Sequence, residues 1–139
     1  MRHHTLLTEI GLKFWKSGYS DFRVNPMCPH RPKRNLGADA ALTMGQARLA
    51  IMLETKDTQE VPLKAHTRNF DGILIFVEDV DIARYVVDRS AGEQKLCFVG
   101  LAEFFKRGME AKIAAVNRVA VETVEDFLGF IQAISDSKN

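Results

Sequence analysis

The run Ala38-Asp39-Ala40-Ala41-Leu42-Thr43, a turn at Met44-Gly45-Gln46, and the run Arg48-Leu49-Ala50-Ile51-Met52-Leu53-Glu54-Thr55 together decide how this chain folds. In the second run Leu49, Ile51 and Leu53 alternate with Ala50, Met52 and Glu54, so both sides of a strand here are apolar over most of its length. Such a strand belongs in the interior of a sheet. The turn before it is short enough to join the two runs as an antiparallel hairpin.

Further strands are expected on either side of the hairpin. Gly72-Ile73-Leu74-Ile75-Phe76-Val77 is an unbroken apolar run, too short for a typical helix and rich in branched and aromatic residues, which marks another interior strand. Shorter candidates are Asp21 to Val24, Ala83 to Asp88 and Lys95 to Val99. Helical spacing appears in three places. Leu6, Leu7, Ile10 and Phe14 form one stripe between Thr5, an expected N-cap, and Gly18, an expected stop. Leu101, Phe104, Phe105, Met109, Ile113 and Val116 trace a second. Thr123 opens a third, carrying Val124, Phe127, Leu128, Ile131 and Ile134, with Asp126 placed for a capping box. The expected architecture is one α/β (α+β) domain over residues 1–139, with a central mixed β-sheet of four to five strands, one N-terminal helix and two C-terminal helices.

Bulk composition agrees with a single self-sufficient fold. A chain of 139 residues that is 46% hydrophobic and 27% charged can bury its own core without staples. Its formal net charge of +1 sets up no global field toward nucleic acid or a membrane surface, so any such attraction is local. Two cysteines, Cys28 and Cys97, make no disulfide framework, and with His30 and His66 they lack the paired spacing of a zinc site. The N-terminus has no apolar core of a signal peptide, and no apolar run reaches the roughly 18 residues needed to span a bilayer. A cytoplasmic protein without membrane contact is expected.

The chemistry-bearing residues lie on the hairpin and just before it. Side chains alternate across a strand, so Glu54 and Lys56 leave the same side of the sheet at a strand end. If the hairpin pairs as read, Asp39 stands near the open end of the neighbouring strand, beside Glu54. Two carboxylates and an ammonium meeting there offer oxygen ligands for Mg²⁺ and a cation that orients or activates water next to a phosphodiester. Residues 19–37 hold Pro26, Pro29 and Pro32 and read as a loop. Within it, His30-Arg31-Pro32-Lys33-Arg34 is the most basic stretch of the chain, with Arg31, Lys33 and Arg34 as candidate phosphate contacts.

At Asp39 and Glu54-Thr55-Lys56, with a helix ahead of them, the sequence resembles the PD-(D/E)xK (restriction-endonuclease-like) nuclease superfamily over residues 5–78. The common core of that superfamily is a helix, a hairpin carrying Asp and then Glu-x-Lys, a further helix and a further strand. The resemblance implies a metal-dependent nuclease, a hydrolase with DNA ahead of RNA as substrate. Asp39, Glu54 and Lys56 would be catalytic, with Asp39 and Glu54 on the metal, the Thr55 carbonyl as a further ligand and Lys56 positioning the attacking water. Glu9, on the first helix, matches an acidic residue that some members contribute. The chain departs from the pattern at Ala38, where the family often has proline, and at residues 57–71, where Pro62 leaves room for about two helical turns.

Other readings use the same residues. A Glu-x-Lys at a sheet end also occurs as a solvated pair with no chemical role, and a basic run is often only a wet loop. Lys64, His66 and Arg68 follow the Glu-x-Lys strand closely and would either line the same cleft or lie on the surface. The alternative function is a non-catalytic regulatory module that binds a nucleic acid or a protein through its basic loop or an apolar helix face. An enzyme using Cys28 is a third reading, though nothing around Cys28 marks a nucleophile. Either C-terminal helix left uncovered by the sheet would serve as a homodimer seam.

Overall fold

A computed structural model describes residues 2–24, 38–54, 70–78, 95–115 and 119–138. Helix α1 (Arg2–Lys16) leads into strand β1 (Phe22–Val24), and the hairpin follows as β2 (Ala40–Met44) and β3 (Ala47–Glu54). Strands β4 (Gly72–Val77) and β5 (Leu96–Gly100) come next, then helix α2 (Leu101–Arg107), a 3₁₀ turn (Gly108–Glu110), strand β6 (Ala114–Ala115) and helix α3 (Val124–Ser137). Among the described residues the sheet has six strands in the order β1-β2-β3-β4-β5-β6. Strands β1, β2 and β3 pair antiparallel, β3, β4 and β5 pair parallel, and β6 closes the far edge antiparallel to β5. The mixed α+β architecture is the expected one, and β3 is buried at every position except Arg48.

Alternation along the strands sorts the core into two layers. On one face Leu42, Leu49, Ile51, Leu53, Leu74 and Phe76 meet Leu7, Ile10 and Phe14 of α1, Phe104 of α2, and Phe127, Leu128 and Ile131 of α3. Each large apolar side chain buried there contributes about 1.5–3 kcal/mol before the cost of ordering the chain. The opposite face carries Ala38, Ala50, Met52, Ile73, Ile75, Val77 and Leu96, with Phe70 and Phe98 half-buried against them. Cys97 lies in the first layer, where burial pushes its thiol up to about 12 and leaves it an inert apolar filler.

Local chemistry accounts for the ends of the elements. Helix α1 begins at Arg2, so Thr5 lies inside it instead of capping it, while Gly18 ends it with φ 96 as its position implies. The hairpin turns on Gly45 and Gln46, with Met44 facing Ala47 across the ladder. A Cβ at Gly45 would lie 2.5 Å from the Ser135 hydroxyl oxygen, which accepts the Gln46 N–H at 2.7 Å and so ties α3 to the hairpin. Beside it the Lys138 ammonium donates to Asp71 at 2.8 Å, and the other Asp71 oxygen accepts the Arg48 N–H at 2.9 Å.

Helix α2 is shorter than the stripe from Leu101 to Val116 predicts. Gly108 takes φ 60, which stops the helix at Arg107, and the chain then turns so that Ala114 and Ala115 add a strand beside Phe98 and Cys97. Helix α3 starts as expected. The Thr123 hydroxyl accepts the Asp126 N–H, and the Asp126 carboxylate accepts the Thr123 N–H, each at 3.2 Å. Replacing Thr123 by Ala removes one half of this box and is expected to cost about 1 kcal/mol, measurable as a shift of the urea midpoint without a change of slope.

Several expected features lie outside the described residues. They are the strand at 83–88, the basic loop with Arg31, Lys33 and Arg34, Cys28, His30, Lys64, His66 and Arg68, and Thr55 and Lys56. Among the described residues, Leu101 and Phe104 of α2 and Val124, Phe127, Leu128 and Ile131 of α3 are all buried within the chain. Among the described residues no helix is long and apolar enough to cross a membrane.

Candidate functional site

The hairpin brings Asp39 and Glu54 together where the sheet changes from antiparallel to parallel pairing. Regular pairing of β2 with β3 ends at Ala40 opposite Ile51, and Asp39 sits at a bend one residue earlier. There its carboxylate takes over from the backbone. Asp39 Oδ2 accepts the Leu53 N–H at 2.7 Å, so the side chain extends the ladder by one step and is held against the last turn of β3.

Glu54 is the final residue of β3 and faces Val77 of the parallel neighbour. Its carbonyl accepts the Glu78 N–H at 3.0 Å, which anchors the strand end from the β4 side. Alternation puts its side chain on the face of Ala50 and Met52, at the rim of the second apolar layer. It is only 2% exposed, against 8% for Asp39. An ionised carboxylate at that depth loses most of its hydration.

The electrostatics follow from this placement. Burial first, and the negative charge of Asp39 second, push the Glu54 carboxyl up to about 9. At neutral pH it therefore holds a proton. One of its oxygens, Oε2, is buried with no hydrogen-bond partner among the described residues. Buried polar atoms are paired in nearly all folded proteins, and an orphan costs about 1–3 kcal/mol. A carboxyl pair with an unsatisfied oxygen is the donor set a hard divalent cation takes, since the ion offsets the mutual repulsion and occupies the vacant lone pairs.

Glu9 stands apart from this pair. It is exposed on α1, and among the described residues no three His, Cys, Asp or Glu side chains gather in a way that could hold a metal. Glu78 was not singled out by the sequence, although it is half-buried and its backbone meets Glu54. Its only sequence signal is that an acid directly follows an apolar strand.

No protein-family model, curated protein or solved structure matches this chain. Its functional reading therefore stands on its own residues.

Proposed function

We propose that this chain hydrolyses phosphodiester bonds of nucleic acid, DNA ahead of RNA, with a Mg²⁺-type cation held between Asp39 and Glu54. The supporting observation is the buried acid pair at the end of β3, in which Glu54 Oε2 lacks a hydrogen-bond partner among the described residues and burial, then the Asp39 charge, raises the Glu54 carboxyl. A scaffold gains nothing from that arrangement, because an apolar residue at position 54 would remove both the orphan atom and the repulsion.

Asp39 and Glu54 would hold the cation, which when bound would supply Lewis-acid stabilisation of charge on the phosphodiester. The protein's part is to aim and hold. The Leu53 N–H fixes Asp39, while the paired strands β3 and β4 fix the backbone of Glu54, so both acids are set before a substrate arrives. In this reading Lys56 orients the attacking water, the Thr55 carbonyl completes the ion's ligands, and Arg31, Lys33 and Arg34 neutralise phosphates along the bound strand.

The reading is tested by Asp39→Asn. An amide keeps an acceptor for the Leu53 N–H but removes the charge, so folding is expected to persist while cleavage of plasmid or oligonucleotide substrates with Mg²⁺ or Mn²⁺ falls by at least about a hundredfold. The same variant removes the repulsion on Glu54, so its carboxyl ionises at lower pH. Cation binding measured by titration calorimetry should weaken in parallel. Wild-type protein that binds neither ion and cleaves neither DNA nor RNA would refute the proposal.

A further inference from the structure

We propose that the outer flank of α1 is a self-association surface on which a second copy of this chain packs antiparallel, Leu12 against the partner's Trp15 and Glu9 beside the partner's Lys16. The inference is independent of any catalytic role of the Asp39–Glu54 pair.

Helix α1 carries apolar residues on two flanks. Leu7, Ile10 and Phe14 are fully buried against the sheet, whereas Leu12 and Trp15 point outward at 51% and 62% exposure, the large hydrophobics exposed among the described residues. A lone exposed leucine needs no explanation, but a tryptophan one turn from it on the same flank forms a patch. The exposed positions Thr5, Thr8, Leu12 and Trp15 follow the 3-4-3 spacing of a seam between two helices. Two polar and two apolar members make the C-terminal half of that seam the adhesive half.

The charges on this flank select a second copy as its occupant. Glu9 and Lys16 are both exposed, lie on one side of the seam, and have no ion-pair partner among the described residues. In a two-fold antiparallel pairing centred between Leu12 and Trp15, the acid of each helix comes beside the base of the other. Symmetry then supplies every contact twice, with two Leu–Trp contacts and two Glu–Lys pairs. A parallel arrangement would place the charges of the two helices on opposite sides of the seam, where no Glu–Lys pair forms. A nucleic acid would meet Glu9 as a repulsive group on the same flank.

The seam is small. A contact limited to one helix of 15 residues falls short of the roughly 800 Å² per partner of a standard stable interface, so the dimer is expected to be reversible, with a dissociation constant on the order of micromolar or weaker. Trp15 is the single tryptophan and lies in the seam, so its emission reports the event directly.

The test is sedimentation of the full chain from about 1 to 500 µM, a span set by the weak affinity expected of so small a seam, with Trp15 emission read over the same range. A monomer that becomes a dimer, with emission moving to shorter wavelength in step, is the expected result. Leu12→Asp should abolish the dimer. Lys16→Glu should weaken it about tenfold, and Glu9→Lys combined with Lys16→Glu should restore it, since the swap regenerates both ion pairs. All of these positions are exposed, so far-UV circular dichroism should not change. A chain that stays monomeric throughout, a dimer indifferent to Leu12→Asp, or a charge swap that fails to recover the loss each overturns the proposal. So does an emission shift that appears only on adding an oligonucleotide, which would give the flank to nucleic acid.

Discussion

Glu54→Gln is expected to make the metal-free protein more stable than the wild type above neutral pH while removing its hydrolytic activity. The wild-type carboxyl is raised to about 9 in the fold, by burial and then by Asp39, from its ordinary 4.5. Between those values the folded chain holds a proton that the unfolded chain has released. Stability contributed by the neutral carboxyl is therefore complete below about pH 4.5 and is lost as pH rises toward 9, with a limiting slope of about 1.4 kcal/mol per pH unit. Glutamine cannot ionise and is close to the protonated acid in shape. Urea unfolding in EDTA should show similar stability for the two proteins near pH 5 and a gap of about a few kcal/mol in favour of Glu54→Gln near pH 9.

The divalent ion gives the same pair of proteins a second readout. A cation that binds only the folded state stabilises it by mass action. Mg²⁺ or Mn²⁺ should therefore recover the alkaline loss in the wild type and leave Glu54→Gln unmoved, with cleavage absent in the variant at every pH. Parallel pH profiles for the two proteins would mean that Glu54 is not the buried, proton-holding group described here. Divergent profiles without an ion response would keep the buried carboxyl and remove the metal.

The meeting of Asp39 with Glu54 was legible because a hairpin with a two-residue turn has little freedom of register. Once Leu49, Ile51 and Leu53 were assigned to one face, the acid before β2 had to lie opposite the end of β3. The depth of Glu54 was not legible. A glutamate closing a strand reads as solvent-facing, yet Glu54 is buried, with Val77 of the parallel neighbour β4 alongside it. The direction of β4 leaves no trace in Ile73-Leu74-Ile75-Phe76, because a run apolar on both faces looks the same either way.

Similar limits explain the other departures. Met109 and Ile113 continue the helical spacing of α2 past Gly108, yet both are half-buried against the first core layer from the 3₁₀ turn and the segment beyond it. Core contact preserved their apolar character while Gly108 changed the backbone, so the stripe outran the helix. On α1 the reverse happened. The buried stripe is clear in Leu7, Ile10 and Phe14, whereas Leu12 and Trp15 belong to neither the stripe nor the charged positions. Spacing identifies a face that is buried somewhere, but not what buries it.

Phe104→Ala should be the most damaging core substitution in the first layer, because its ring links three elements that share no strand pairing with one another. Phe104 is fully buried. Its ring packs edge-on to Phe76 of β4 with centroids 4.8 Å apart, tilted to Phe14 of α1 at 5.5 Å, and tilted to Phe105 at 6.1 Å. Phe14 in turn stacks on Phe22 of the edge strand β1 at 5.6 Å. Removing the Phe104 ring leaves a cavity between helix and sheet that rigid strands cannot close, so the cost is expected to be about 3–5 kcal/mol. That is a large fraction of the roughly 5–15 kcal/mol that holds a domain of this size together. The thermal midpoint should fall by about 10 °C or more. Phe104→Leu keeps most of the volume and should recover over half of the loss, whereas Phe105→Ala, at a half-buried position on the same helix, should cost about 1–2 kcal/mol. Equal losses at positions 104 and 105 would show that the effect comes from helix α2 itself and not from the ring cluster that joins α1 to the sheet.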